Sequence, residues 1–305
     1  MNNIVWVIDH TEIDQSALVL LQEHGYATIT NTPSEQDKKS IVGIFVRTYT
    51  KIDSELLNDL PELKFILKAG VGLDNIDLGL ANSRGLQIYN SPGSNAKSVA
   101  EYVVGCIIFS LHKINQQSAN LRSGGWRSFD HVGQELCGKI VGVVGLGAVG
   151  SEIAKRLTPF EVEILAYDPY ISPEIANVLG VKLVGLEDLL KRSDVITIQT
   201  PLTMETRGMF NKNLLSLIKD GATVINVSRG ELIDEGELIR LSRSGKLNGI
   251  VLDVFINEPN IDNGLLSLSD AILTPHIAGF TNEAHQEMAL GAVKNLINSK
   301  PTKYI

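Results

Sequence analysis

Short apolar runs separated by longer stretches of helical period organise this chain. In the first 95 residues the runs IVWVI, IVGIFV, KFILKAG and LQIYN alternate with DQSALVLLQEHG, DSELLNDL and LGLANSRG. This switching between strand and helix periods predicts βαβ units on a parallel sheet. After the turn SPGSN one long helix is expected over residues 96–121, with Val99, Val103, Ile107 and Ser110/Leu111 as its apolar stripe and GGW at 124–126 as its end. A second series begins at Lys139: KIVGVVG, EVEILAYD, VKLV, DVITIQT, ATVINVS, GIVLDVF and AILTPH. Its own strands and its own glycine turn predict a second domain over residues 96–276. The last helical stretch, NEAHQEMALGAVKNLINS, has no sheet to pack on, so residues 277–305 are expected to join residues 1–95. The expected fold class is α/β: two Rossmann-like or flavodoxin-like domains with parallel sheets, and an active site in the interdomain cleft.

Three of the later runs each deliver a polar residue at or just beyond their end. VINVSRG gives Arg229, GIVLDVFINEP gives Glu258 and AILTPHIAG gives His276. In open α/β sheets ligands gather outside the carboxyl ends of the strands, so these three side chains are expected to face a common site. Each alone reads most simply as an exposed loop residue. Together they form a set able to bind an anion and move a proton.

Composition narrows the classes. With 305 residues, 44% hydrophobic and 20% charged, the chain is of ordinary globular type and long enough for two domains. A net charge of −8 argues against a nucleic-acid partner. Cys106 and Cys137 are the only cysteines, and they have neither the count of a disulfide framework nor metal-ligand spacing, so no metal is expected. The N-terminal run IVWVI has no preceding Lys or Arg and is too short for a signal peptide, and the run 102–111 is too short to span a bilayer. A cytoplasmic protein without a membrane partner is expected.

Gly145, Gly147 and Gly150 in GLGAVG follow the run KIVGVV and open the helical stretch SEIAKRL. That is the context a dinucleotide turn requires. The first glycine permits the tight turn, the second admits a pyrophosphate to the backbone, and the third lets helix and strand pack. The next run ends at Asp168, eighteen residues past Gly150, where a carboxylate can receive ribose hydroxyls. Pro169 and Tyr170 follow where an enzyme using NADP would more often carry an Arg. NAD is the expected cofactor.

With these motifs in order, the chain resembles the D-isomer-specific 2-hydroxyacid dehydrogenases. The resemblance runs through KAGVGLDNIDL, NSPGSNAKSVAEY, GLGAVG with Asp168, PLTMETRGMF, VINVSRGELIDEGEL, LDVFINEP and TPHIAGFTNEA. Within that family FVRTYTKID, KAGVGLDNID, AYDPYISPE and DEGEL are similar to the phosphoglycerate branch, whereas PHIAGF and SPGSN are similar to the general branch. Gln199 and Glu161 depart from the family, standing where many members have His and Gly. The chain ends near residue 305 without the C-terminal regulatory extension of longer members, so serine feedback through such a domain is not expected.

The resemblance implies hydride transfer between C2 of a hydroxy acid and a nicotinamide. His276 would be the acid/base, since an imidazole titrates near about 6.5, and Glu258 would be the carboxylate that stabilises its charged form. Arg229 would hold the substrate carboxylate with a forked guanidinium, joined by the N–H groups of Val71 and Gly72. Arg47 and Lys68 would meet a phosphate at the substrate's tail. Further cofactor contacts are implied for Ala148, Val149, Thr200, Pro201, Thr206, Val227, Ser228, Arg229, Asp253, His276 and Gly279. The expected reaction is oxidation of D-3-phosphoglycerate by a homodimer. Reduction of hydroxypyruvate, glyoxylate or another 2-oxo acid stays open, as does a role as an NAD(H)-sensing interaction protein resembling a corepressor.

Overall fold

The computed structural model describes residues 3–303. Residues 1–2 and 304–305, assigned above to the first domain, lie outside the described residues. The chain divides into two compact units, one of residues 1–95 and 279–305, the other Ala96–Ala278. The second crossing falls two residues later than the sequence reading placed it. Ile277 and Ala278 donate their N–H groups to the Asp253 carboxylate, and the Ala278 carbonyl accepts from Ser98 Oγ, so both residues are bound into the second unit.

The first unit holds five parallel strands in the order β2-β1-β3-β4-β5, with β1 Asn3–Val7, β2 Tyr26–Ile29, β3 Ile41–Val46, β4 Phe65–Lys68 and β5 Gln87–Tyr89. The central strands are buried on both faces, which is why they read as continuous apolar runs. One face is covered by the helices Gln15–Glu23 and Asn282–Ile297, the latter burying Ala289, Ala292, Val293 and Leu296. The edge strand β2 is absent from the sequence reading, because YATI is four residues long and only partly buried.

The second unit holds seven parallel strands in the order β12-β11-β10-β9-β6-β7-β8. They are β6 Ile140–Val144, β7 Glu163–Tyr167, β8 Lys182–Leu183, β9 Val195–Ile198, β10 Ala222–Asn226, β11 Leu247–Leu252 and β12 Ala271–Leu273. The winding direction reverses between β6 and β9. A crevice opens beyond the strand ends at such a reversal, and the glycine turn follows β6 there.

The long helix expected over residues 96–121 is two helices, Ala96–Leu111 and Ile114–Arg122. The proposed stripe is buried along the first of them. No Gly or Pro marks the break, so sequence periodicity runs straight through it. Tertiary bonds make it: Lys113 sits at φ 54° with its ammonium on the Asn248 carbonyl, and Gln134 N–H donates to the Leu111 carbonyl. At Glu161, φ is 57°, a left-handed conformation that glycine adopts most readily. Among the described residues no helix is long and apolar enough to cross a membrane.

Candidate active site

His276 lies three residues past β12 and Glu258 six past β11. The imidazole Nδ1 meets Glu258 Oε2 at 2.9 Å, with the two side chains 39% and 37% exposed. The other carboxylate oxygen, Oε1, accepts the Phe255 N–H at 3.0 Å. Burial by itself would raise the Glu258 carboxyl, but the His276 hydrogen bond and charge, the Phe255 N–H and the Arg229 charge outweigh it and hold the group below its ordinary range. Arg229 follows β10, with Nη1 on the Ser228 carbonyl and its own carbonyl accepting from Asn226 Nδ2. Gly230 brings this turn against the next segment, since a Cβ there would stand 2.0 Å from the Phe255 carbonyl carbon. A side chain at residue 230 would push the Arg229 turn away from the segment that carries Glu258.

The backbone of His276 is itself left-handed, at φ 56°. Asp253 holds it there. This fully buried carboxylate accepts Thr274 Oγ1 and the Ile277 N–H on Oδ1 and the Ala278 N–H on Oδ2, while its own carbonyl takes the His276 N–H at 2.8 Å. Tyr102 on the helix Ala96–Leu111 bonds Thr274 Oγ1 in turn. Burial raises the Asp253 carboxyl, opposed by those donors and by the His276 charge. With no exposed surface and both oxygens engaged, Asp253 anchors the 274–278 loop.

The glycine turn fits a dinucleotide. Gly145 takes φ 92°, with its N–H on the Tyr167 carbonyl, and a Cβ there would crowd the Gln199–Thr200 backbone. A Cβ on Gly147 would meet nothing within 4 Å, and this residue caps the helix Ala148–Leu157 without a side-chain bond, leaving its first N–H groups available to an anion. A Cβ on Gly150 would lie 2.0 Å from the Gly145 carbonyl oxygen, so helix and turn close only over hydrogen. Asp168 is tied to the turn by the Leu146 N–H at 2.8 Å and to the following loop by the Tyr170 N–H at 2.9 Å. One lone pair on each oxygen remains for a ribose diol, and its charge opposes a 2′-phosphate.

The remaining expected cofactor residues fall around the strand ends. Ala148 and Val149 open the helix after the turn. Thr200 and Pro201 follow β9, where the Thr200 carbonyl accepts Ser228 Oγ and Thr206 Oγ1 donates to the Pro201 carbonyl. Val227 packs on the core beside β10. Gly279 belongs to the first unit, where a Cβ would meet the Asn95 side chain.

In the first unit, Arg47 follows β3. Its guanidinium is 12% exposed, Nε and Nη1 have no hydrogen-bond partner among the described residues, and Glu12 lies 3.8 Å from Nε. Burial pushes the group below its ordinary value, with Glu12 the strongest opposing charge. The surrounding loop is fixed by Asp9, which accepts the Arg47 N–H and Thr50 Oγ1, and by Asn75 Nδ2 on the Arg47 and Thr50 carbonyls. Lys68 is 2% exposed and its ammonium bonds the Arg47 carbonyl, so it braces the Arg47 loop from inside. Val71 is 39% exposed on the turn that follows β4, and Gly72 is next to it.

Comparison with known proteins places these features in a family. Residues 104–278 match the model of the NAD binding domain of D-isomer specific 2-hydroxyacid dehydrogenases. A D-3-phosphoglycerate dehydrogenase of Archaeoglobus fulgidus is 42% identical over 256 residues, covering 84% of this chain and 49% of the relative. The chain spans about half the length of the curated relatives it matches. Among solved structures, a glyoxylate reductase from Paecilomyes thermophila superposes with TM-score 0.85 at 28% identity, covering 98% of this chain and 95% of that one. A D-lactate dehydrogenase from Aquifex aeolicus, complexed with NAD and lactic acid, gives TM-score 0.83 at 27% identity over 98% and 96% of the two chains.

Proposed function

Because the chain belongs to the D-isomer specific 2-hydroxyacid dehydrogenase family, we propose that it is an NAD-dependent dehydrogenase of 2-hydroxy acids that oxidises D-3-phosphoglycerate to 3-phosphohydroxypyruvate for serine biosynthesis. The observation that carries the reading is the 2.9 Å bond between His276 and Glu258 in the unit that also holds the dinucleotide turn. When bound, the nicotinamide supplies or takes the hydride at C2. Glu258 occupies His276 Nδ1, which leaves Nε2 to exchange a proton with the C2 oxygen. In oxidation the neutral ring accepts that proton. In reduction the imidazolium, stabilised by Glu258, returns it. Arg229 holds the acid's carboxylate and polarises the carbonyl, and the N–H groups of Val71 and Gly72 also receive a carboxylate.

The phosphate tail is assigned to Arg47, whose nearly buried guanidinium has donors without partners. Relatives 35–42% identical and named D-3-phosphoglycerate dehydrogenase support the same substrate. A second reading, reduction of glyoxylate or hydroxypyruvate, is favoured by Lys68 and Glu12. Lys68 Nζ donates to the Arg47 carbonyl and the Glu12 carboxylate lies 3.8 Å from Arg47 Nε, so the charge that Arg47 offers a dianion is partly offset.

Nicotinamide absorbance discriminates the two, read with 3-phosphoglycerate and NAD, and with hydroxypyruvate, glyoxylate and pyruvate plus NADH. The proposal expects the phosphorylated acid to give the highest kcat/KM, and Arg47→Ala to raise its KM by about tenfold or more while sparing the short acids. Preference for glyoxylate or hydroxypyruvate selects the second reading. NADH binding without turnover on any acid fits the NAD(H)-sensing protein instead. A homodimer is proposed as well, joined through the segment 114–133, which exposes Leu121, Trp126, Phe129 and Val132.

A further inference from the structure

We infer that Asn90 and Ser91, braced by Asn295 and Thr302, are positioning residues that aim the Val71 and Gly72 N–H groups at a substrate carboxylate. The inference rests on the carboxylate-binding role proposed above for that turn. The Gly70 carbonyl accepts both the N–H and the Oγ–H of Ser91, at 3.1 and 3.2 Å. The Val71 carbonyl accepts Asn90 Nδ2 at 2.7 Å. In a trans peptide the N–H points opposite to the C=O. Fixing these two carbonyls toward residues 90–91 therefore turns the next two N–H groups, those of Val71 and Gly72, the other way. Neither N–H has a hydrogen-bond partner among the described residues.

Residues from the far end of the chain hold the clamp. The Thr302 hydroxyl accepts the Asn90 N–H at 3.2 Å and donates to Asn90 Oδ1 at 2.7 Å. That bond decides which way the Asn90 amide faces, because a donor on Oδ1 leaves Nδ2 for Val71. Thr302 is itself seated by its N–H on the Ile88 carbonyl, and Asn295 Nδ2 donates to the Asn90 carbonyl at 2.9 Å. Asn90 and Ser91 are 5% and 3% exposed, so at the clamp's inner end a lost partner leaves a buried polar group unsatisfied. Gly291 permits the close approach: a Cβ there would stand 2.9 Å from Ser91 Cβ. Nothing in sequence spacing announces this set, since residues 70–72, 90–91, 295 and 302 meet only through the fold.

Thr302→Val removes the hydroxyl at constant shape, and Asn90→Ala removes the amide. Both are expected to raise KM for the hydroxy acid about tenfold with kcat within about twofold, the pattern of lost uniform binding, and to leave NADH affinity unchanged. Thr302→Ser restores the wild-type KM. In amide-resolved NMR of the whole protein, oxalate shifts the Val71 and Gly72 N–H signals and saturates them at higher concentration in Thr302→Val than in wild type. The inference is overturned if both variants keep the wild-type KM and oxalate titration. It is equally overturned if kcat, NADH affinity and thermal stability fall together with KM, which marks structural support alone. Failure of the dehydrogenase reading shows separately, as absence of turnover in wild type, and the oxalate titration still decides the clamp.

Discussion

At the scale of single residues, the site depends on one carboxylate in contact with the imidazole and another beneath its loop. Glu258 bonds the ring, while Asp253 holds the left-handed backbone that presents it. A non-glycine residue in that conformation persists only where its surroundings enforce it. Glu258→Gln keeps the shape but removes the charge, so the pH profile of 2-oxo acid reduction is expected to move to lower pH; an unmoved profile refutes the pairing. Stability follows the same carboxylate. Its folded value lies below the ordinary 4.5, so its contribution is present above that pH and fades as pH falls through the lower folded value. The positions of Arg229, Glu258 and His276 beyond strand ends were legible in the sequence because each follows an apolar run of strand length. The burial of Asp253 and Lys68 was not legible, because sequence gives residue type but not burial, and both side chains bond within their own units.

At the scale of elements, parallel strands buried on both faces are the most legible, and eleven of the twelve strands among the described residues correspond to runs visible in the sequence. What escaped is set by tertiary contact. Strand β2 is short and half covered, and the helix break at Lys113 is imposed by bonds to Asn248 and Gln134. The glycine turn shows the opposite case, a local motif whose spacing already states its packing. Gly150→Val forces a side chain into the 2.0 Å gap to the Gly145 carbonyl. Overpacking of this kind costs about 1–3 kcal/mol. Calorimetric titration with NADH is expected to show affinity reduced by about tenfold or more, together with a lower Tm. Wild-type NADH affinity in a folded variant contradicts the assignment of this turn.

At the scale of the whole molecule, the chain forms two compact units, one holding the dinucleotide turn with His276 and Glu258, the other holding Arg47 and the Val71–Gly72 turn. The first unit also gathers the last helix of the chain, which is how Thr302 comes to sit beside Asn90. The second unit leaves Trp126 and Phe129 79% and 84% exposed, apolar surface that fits the dimer contact proposed for this segment. Trp126→Asp is expected to shift sedimentation from dimer toward monomer at micromolar concentration, and a wild-type monomer under the same conditions contradicts the dimer. The central claim, that His276 moves the proton of a hydride-transfer reaction, is tested most directly by steady-state turnover of His276→Ala on the acid the wild type prefers, with NADH affinity measured alongside. The account predicts a loss in kcat of about a hundredfold or more with NADH affinity little changed. Near-normal turnover would contradict it.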